Sequence, residues 1–399
     1  MTRDIPDGWK VEKLGEAFIV KDGTHDSPKY VIDDTSYPLL TSKNIKEGKL
    51  FLDDCNYISQ NDFDKINQRS KVHKNDIIMP MIGTIGNPLF LVEEPNFAIK
   101  NVALFKPKDE NPKFLLHYLK SNFIKQKFKI DAKGGTQKFV SLTYLRNLQI
   151  PIPPLPQQDK IVKVLDISSA LIEEQKELIE KYDLFLKSKF IEMFGDPIGN
   201  PMGWKVEKLE RFTTLVSSGS TPKGGQSSYL TEGEIKFIRS QNVRMNKMKY
   251  DGIYYISEEV YTKMKRTQVK YNDVLLNITG ASIGRTAIYK DTARANVNQH
   301  VCIIRLNKQL NNVYLNYFIS ADSFQHKIIA NQSGATREAL NFTQIKQFNI
   351  SYPPMELQNK FASIVEQTKT IKEQEVQKLE HLETLHNSLM DKAFKGEIE

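Results

Sequence analysis

The chain has 399 residues, 56 of them basic and 48 acidic, for a formal net charge of +8. That length exceeds one typical domain and predicts two or three. A hydrophobic content of 40%, with 10% aromatic residues, excludes wholesale disorder. The basic surplus permits a polyanionic partner without requiring one. Two cysteines, Cys55 and Cys302, exclude a disulfide framework or a cysteine-rich zinc site. The first residues carry no apolar signal core, and no run approaches the roughly 18 apolar residues of a membrane helix. A soluble, cytoplasmic protein is expected.

In chain order, the first landmark is Gly-Trp-Lys-Val-Glu-Lys-Leu at 8–14, which recurs unchanged at 203–209. Later landmarks recur in the same order. Ser-Lys-Asn-Ile at 42–45 matches Ser-Gln-Asn-Val at 240–243, and Tyr-Ile-Ser at 57–59 matches 255–257. Asn-Asp-Ile-Ile at 75–78 matches Asn-Asp-Val-Leu at 272–275, and Ile-Gly at 85–86 matches 283–284. Gly-Gly-Thr at 134–136 matches Gly-Ala-Thr at 334–336, and Pro-Pro at 153–154 matches 353–354. The offset drifts from 195 to 200, which means small loop insertions. A solenoid repeats every roughly 20–50 residues, so each copy here is domain-sized. The halves agree at framework points and differ between them, a pattern suited to one scaffold with two recognition surfaces.

Each copy has two parts. The first mixes short apolar runs with turns: 76–82, 273–278 and the β-branched 301–306 read as strands, 114–119 and 314–319 as helices. This predicts α/β domains with mostly antiparallel or mixed sheets. Pro151, Pro153, Pro154 and Pro156 close the first, Pro353 and Pro354 the second. Trp9 and Trp204, in identical context, read as structural.

The second part is one long helix. Apolar pairs recur every seven residues: Val164/Leu165, Leu171/Ile172, Leu178/Ile179 and Phe185/Leu186. The later copy keeps Ile364/Val365 as a pair, then Ile371, Leu379 and Leu385. A sustained period of seven argues for coiled-coil packing, with a long amphipathic helix lying on its own domain as the alternative. About 35 residues give a rod of roughly 50 Å. The short link from Gly195 to Trp204 spans at most about 30 Å, so the second helix most simply starts near where the first stops, and the pair runs antiparallel. The expected architecture is α+β: domains over 1–155 and 197–354, long helices over 156–196 and 355–399, and an approximate twofold axis within one chain.

Catalytic motifs are not found. The Pro-Pro strings lack the polar first and aromatic last residues of an amino-methyltransferase motif. Gly280-Ala-Ser-Ile-Gly-Arg-Thr286 is one spacer short of a P-loop and has Arg285 in place of lysine, so it reads as a tight turn. The seven histidines are scattered and suggest no metal site.

Two variable domains alternating with two similar long helices, the Gly-Trp-Lys starts, the Gly-x-Thr turns before Pro-Pro, and the Phe-Gly-Asp-Pro exit at 194–197 together resemble the specificity subunit of type I restriction–modification enzymes. The resemblance covers essentially the whole chain. It implies that each domain reads one half of a split, asymmetric DNA target. It also implies that the helices space the domains and dock two methyltransferase subunits, with Leu165, Leu171, Ile172, Leu178, Ile179, Phe185, Ile364, Ile371, Leu379 and Leu385 serving partner docking and helix packing. The resemblance places no cofactor and no catalysis in this chain. S-adenosylmethionine belongs to the methyltransferase subunits, and ATP and magnesium to restriction and translocation subunits.

Three pairs of polar, basic loops are the candidate DNA contacts. The first pairs Lys43 and Asn44 with Arg239, Gln241 and Asn242, since arginine can read guanine and Asn or Gln adenine. The second pairs Lys133, Gly134, Gly135, Thr136 and Lys138 with Gly334, Thr336 and Arg337, where glycine lets backbone amides approach phosphate. The third pairs Thr24 and His25 with Ser220, Thr221 and Lys223; Arg285 joins the set. Two other classes remain open: a coiled-coil scaffold that binds no DNA, and a specificity module of another restriction or methylation system.

Overall fold

The computed structural model describes the chain except residues 1–5, 32–35, 47, 84, 134–137, 223, 331–338 and 399. It divides into two compact units, Met1–Lys176 with Gln377–Glu399, and Glu177–Val376. These boundaries fall inside the two long helices, Leu155–Phe194 and Met355–Ala393, rather than at the proline clusters. The reason is that each helix packs on a domain at its prolines. Gln158 Oε1 accepts from the Asn111 amide at 2.9 Å, and its Nε2 donates to the Pro153 carbonyl at 2.8 Å. Gln358 repeats this with Asn311 (2.9 Å) and Pro353 (2.7 Å). Both glutamines are buried.

In the first unit, a four-stranded antiparallel sheet has the order Ile19–Asp22, Val102–Lys106, Ile77–Pro80, Leu89–Phe90. Its two central strands are apolar on both faces because both are covered. Ile77, Met79, Ala103 and Phe105 enter one core, while Ile78, Val102 and Leu104 enter another. A three-stranded sheet carries Tyr37–Leu40 between Asn56–Ile58 and Ala98–Ile99, the last pair parallel. Lys10–Lys13 pairs with Gln149–Ile152 and closes the domain.

The second unit repeats the plan. Its main sheet runs Thr213–Ser218, Val301–Leu306, Val274–Asn277, Thr286–Ile288. Val274, Leu276, Cys302 and Ile304 face one core, and Leu275, Val301 and Ile303 the other. Its second sheet has the order Tyr254–Tyr255, Lys236–Ile238, Ala295–Val297, Gln268–Val269, with one parallel pair. In each unit a helix capped by asparagine follows the main sheet: Pro112–Lys120 behind Asn111, and Asn312–Ser320 behind Asn311.

In the pairs Leu171/Ile172, Leu178/Ile179 and Phe185/Leu186 only one member turns inward, while in Val164/Leu165 and Ile364/Val365 the first is half-buried and the second buried. Leu165 and Leu186 are buried and Ile172 and Ile179 half-buried, whereas Leu171, Leu178 and Phe185 are 46%, 38% and 48% exposed. On the second helix Val365 is buried, Ile364 and Leu379 are half-buried, and Ile371 and Leu385 are exposed. Leu171, Leu178, Phe185, Ile371 and Leu385 therefore do not form the packed face expected of them. Neighbouring residues sit about 100° apart on a helix and cannot both face one seam. The alternate inward positions are taken by Ser168, Gln175 and Tyr182, and by Thr368, Lys372 and Glu375.

Both units set a phenylalanine of a helix end on the domain, Phe394 against Phe114 and Tyr118 and Phe194 against Tyr314, but the remaining contacts differ in chemistry. In the first, buried His117 meets Asp166 Oδ1 through Nε2 at 2.8 Å, Lys113 pairs with the same carboxylate at 2.7 Å, and Ser168 bonds His386 Nδ1 at 2.8 Å. The hydrogen bond from His117 is the main cause that holds the Asp166 carboxyl down at about 2, against the opposing effect of its burial. Burial pushes His386 below its ordinary value, and His117, Lys125 and Lys120 beside it act in the same direction. In the second unit, Phe190 lies 5.6 Å from Tyr314 and 5.4 Å from Phe361, and Phe194 lies 4.8 Å from Tyr314. Tyr317 stands where the first unit has His117. The two tryptophans also differ: Trp9 Nε1 donates to Gln157 Oε1 at 3.1 Å, but Trp204 Nε1 to the Phe194 carbonyl at 2.9 Å.

Candidate nucleic-acid interface

The loops that leave the two sheets of each unit converge, and a glycine sets the distance. A Cβ on Gly23 would sit 2.1 Å from the Ile99 carbonyl oxygen, and one on Gly219 would sit 1.6 Å from that of Val297. Only glycine lets the two backbones come this close. Thr24 donates its amide to the Ile99 carbonyl at 3.0 Å, and Gly219 donates to Asn298 at 3.1 Å. This contact places the Gly-Thr-His loop beside residues 100–101 in the first unit, and Ser220 and Thr221 beside 298–300 in the second.

The next loop follows the adjoining strand. In the first unit the Lys100 amide donates to the Leu40 carbonyl at 2.8 Å, bringing residues 41–44 alongside. In the second the Asn298 amide donates to Ile238 at 3.0 Å, bringing 239–242 alongside. The turn after the central strand joins them. Gly83 donates to the Lys138 carbonyl at 3.0 Å and Lys133 pairs with Phe139, while Leu340 donates to Ile278 at 2.9 Å. So the candidates that are described, drawn from distant parts of the sequence, share one edge in each unit.

Their side chains divide into free and committed. Lys43, Lys133, Lys138, Ser220 and Gln241 are exposed. Arg285 is half-buried on its turn, where its carbonyl accepts from the Asn277 amide at 2.8 Å. Thr221 is exposed and donates to Gln299 Oε1 at 2.6 Å. Asn44 and Asn242 are buried, and both ends of each amide are engaged. Asn44 Oδ1 accepts from Thr41 N at 3.0 Å and its Nδ2 donates to the Phe51 carbonyl at 3.1 Å. Asn242 Oδ1 accepts from Arg239 N at 2.9 Å and its Nδ2 donates to Lys249 at 3.0 Å. These asparagines fix their loops rather than present their amides outward. His25 is held through both ring nitrogens, by Asn101 at 2.7 Å and Asp22 at 2.9 Å, and Asp22 also takes Arg69. Thr24 Oγ1 accepts from the Asp26 amide at 3.1 Å. Gly134, Gly135, Thr136, Lys223, Gly334, Thr336 and Arg337 lie outside the described residues.

Sequence reasoning missed the fourth loop, Lys100-Asn101 and its counterpart Asn298-Gln299-His300. Gln299 Nε2 lies 3.0 Å from His300 Nε2, and His300 Nδ1 lies 2.6 Å from Thr279 Oγ1. These are two and three polar residues between buried strands, a pattern easily read as an ordinary turn. Among the described residues, no cluster of three or more His, Cys, Asp or Glu side chains could hold a metal ion. No helix among them is long and apolar enough to cross a membrane.

Two similar domains, each gathering polar and basic loops at one edge and each followed by a long helix, define a duplicated recognition protein. Residues 6–181 and 201–384 each match the type I restriction modification DNA specificity domain, and the chain belongs to that family. It is 23% identical over 418 residues to the type I restriction enzyme MjaVIII specificity subunit of Methanocaldococcus jannaschii, covering 99% of this chain and 94% of that one. It is 24% identical over 365 residues to the EcoBI specificity subunit of Escherichia coli, covering 82% and 74%. A chain from a structural study of type I restriction–modification complex assembly and conformational transition shares the fold, with a TM-score of 0.62 at 19% identity and 99% of both chains covered. So does the specificity subunit from M. genitalium, with a TM-score of 0.53 at 16% identity, covering 99% of this chain and 97% of that one.

Proposed function

We propose that this chain is the DNA-reading subunit of a type I restriction–modification complex and performs no chemistry itself. Each unit reads one half of a split target, and the differing loops make the halves differ. The observation that carries this reading is the convergence of the variable loops at one edge in each of two domains of the DNA specificity family.

The two long helices act as an antiparallel coiled coil with an internal pseudo-twofold repeat. Support comes from the inward positions 161, 165, 168, 172, 175, 179, 182 and 186, which recur 200 residues later. It also comes from the pairing of early with late residues: Ser168 with His386 and Lys176 with Glu383 in the first unit, Asp183 with Lys372 in the second. The outward leucines and phenylalanine left by this seam are the docking surface for two methyltransferase subunits. Those subunits supply S-adenosylmethionine and methylate adenine, and restriction subunits supply ATP- and magnesium-dependent translocation and cleavage. Two weak readers on one spacer gain affinity by effective concentration, which suits a net charge of only +8.

Methylome mapping of a host that makes the matching methyltransferase subunit tests the reading. A split, asymmetric adenine-methylated motif is expected only when this chain is present, and exchange of residues 200–350 for those of a relative changes one half of it. A stable complex that produces no motif overturns the reading in favour of a scaffold.

A further inference from the structure

We infer that Arg239 is the guanine reader of the second unit, with Tyr254 and Tyr229 as the residues that position it. This rests on the DNA-reading function proposed above and assigns one base-pair class to one side chain.

Arg239 follows the strand Lys236–Ile238 and opens the second loop of the converged edge. Its guanidinium carbon lies 4.2 Å from the ring centroid of Tyr254 and 5.9 Å from that of Tyr229. The platform is built from the sheet. Tyr254 is the cross-strand neighbour of Phe237, and Tyr229 lies 5.1 Å from Phe237 and 5.6 Å from Tyr254. The backbone is fixed as well, because the buried Asn242 accepts from the Arg239 amide.

The charge itself is unspent. Arg211, Arg294 and Arg305 of the same unit each pair with a carboxylate, whereas Arg239 shares the lack of an ion pair among the described residues with Arg244, Arg266 and Arg285 and differs from them in lying over two rings. The Arg239 Nε is closed off from solvent without a hydrogen-bond partner. Aromatic faces compensate a half-buried cation but satisfy none of its five donors. With Nε closed, the two Nη groups remain to meet a ligand. A planar fork can meet phosphate bidentately as well as guanine, and an Arg239→Lys variant separates the two. A planar fork locked on aromatic faces fits the paired O6 and N7 acceptors of guanine. The first unit has Thr41 at this place, and its hydroxyl donates to Asn44 Oδ1 at 2.9 Å. The guanine contact is therefore a property of the second half-site alone.

The test uses the assembled complex, first mapping the wild-type methylated motif and then measuring competition by duplexes substituted at each base pair. Arg239→Ala and Arg239→Lys should each lower the preference for guanine at one position of one half-site by about 5- to 150-fold, leaving the other half intact. Arg239→Lys should keep the salt dependence of binding while losing the preference. Tyr254→Phe should behave as wild type, and Tyr254→Leu should weaken discrimination at that same position only. Two results overturn the proposal: an unchanged motif in both Arg239 variants, or a uniform affinity loss in the alanine variant that lysine restores, which marks a phosphate contact. A wild-type complex that yields no motif overturns the underlying reading instead. Should the alanine variant fail to fold, the lysine variant decides.

Discussion

The same joint, between a recognition domain and its pair of helices, is built twice with different materials. The second unit uses stacked and edge-on rings of Phe190, Phe194, Tyr314, Tyr317 and Phe361. The first keeps one such ring, Phe394 at 5.4 Å from Phe114 and 5.2 Å from Tyr118, and fills the rest with His117, Asp166, Lys113, Ser168 and His386. The backbone plan survives the exchange because the glutamine clamps, Gln158 and Gln358, are common to both. Architecture is carried by the clamp, and the fill around it decides how each unit responds to truncation and to acid.

The protein supplies its own separate reporters, since one of its two tryptophans lies in each unit. Trp204→Phe leaves Trp9 to report the first unit, and Trp9→Phe leaves Trp204 to report the second. The largest expected effect is from Phe361→Ala. Phe361 is fully buried among the rings, and its loss should cost the second unit about 3–5 kcal/mol in urea unfolding followed by Trp204 fluorescence. A loss below about 1 kcal/mol would show that the aromatic fill is not what holds that joint. Next is Asp166→Ala, which strips the acceptor from buried His117 and should cost the first unit about 1–3 kcal/mol.

Smaller effects follow from acid. The Asp166 carboxyl lies at about 2 in the fold, below its ordinary range. Its stabilisation is present above about pH 4 and is lost as pH falls toward 2. Asp166→Asn should therefore flatten the decline of the Trp9 transition in that window and leave the Trp204 transition unchanged. An equal flattening of both signals would erase the contrast between units. The smallest effect belongs to His386, which the fold keeps neutral below the ordinary histidine value, beside His117, Lys120 and Lys125. That contribution is present above about pH 6.5 and is lost as pH falls below it. His386→Leu, which copies Leu186 of the first helix, should remove this slope from the first unit.

How much of this was legible in the sequence depended on periodicity. The strands 76–82 and 273–278 were readable because largely apolar runs of that length between turns fit a sheet covered on both faces. The long helices were readable from their seven-residue repeat. The inward member of each apolar pair was not, because Leu171 and Ile172 are equally apolar, and polar Ser168 and Tyr182 occupy seam positions that composition assigns to solvent. Likewise the loops could be found but not their division of labour. Asn44 and Asn242 have the chemistry of adenine readers, yet that chemistry is consumed locally, seven residues on, at Phe51 and Lys249. The platform under Arg239 was hidden because Tyr229 and Tyr254 meet it only through the sheet. Trp9 and Trp204 share their neighbours in sequence but bond to a side chain and to a backbone carbonyl respectively, a difference no local window contains.

The close approach at Gly23 and Gly219 has a consequence for how such a protein can change. The anchor of each recognition edge is main chain against main chain, at Ile99 and Val297. Drift in the surrounding side chains leaves it untouched as long as one glycine persists. Around the loop-fixing Asn44 and Asn242, the other side chains of 41–44 and 239–242 can therefore be rewritten without moving the edge that carries them. On the proposed DNA-reading function, specificity and foldability separate at this point, and new targets are reached by substitution with the scaffold held constant.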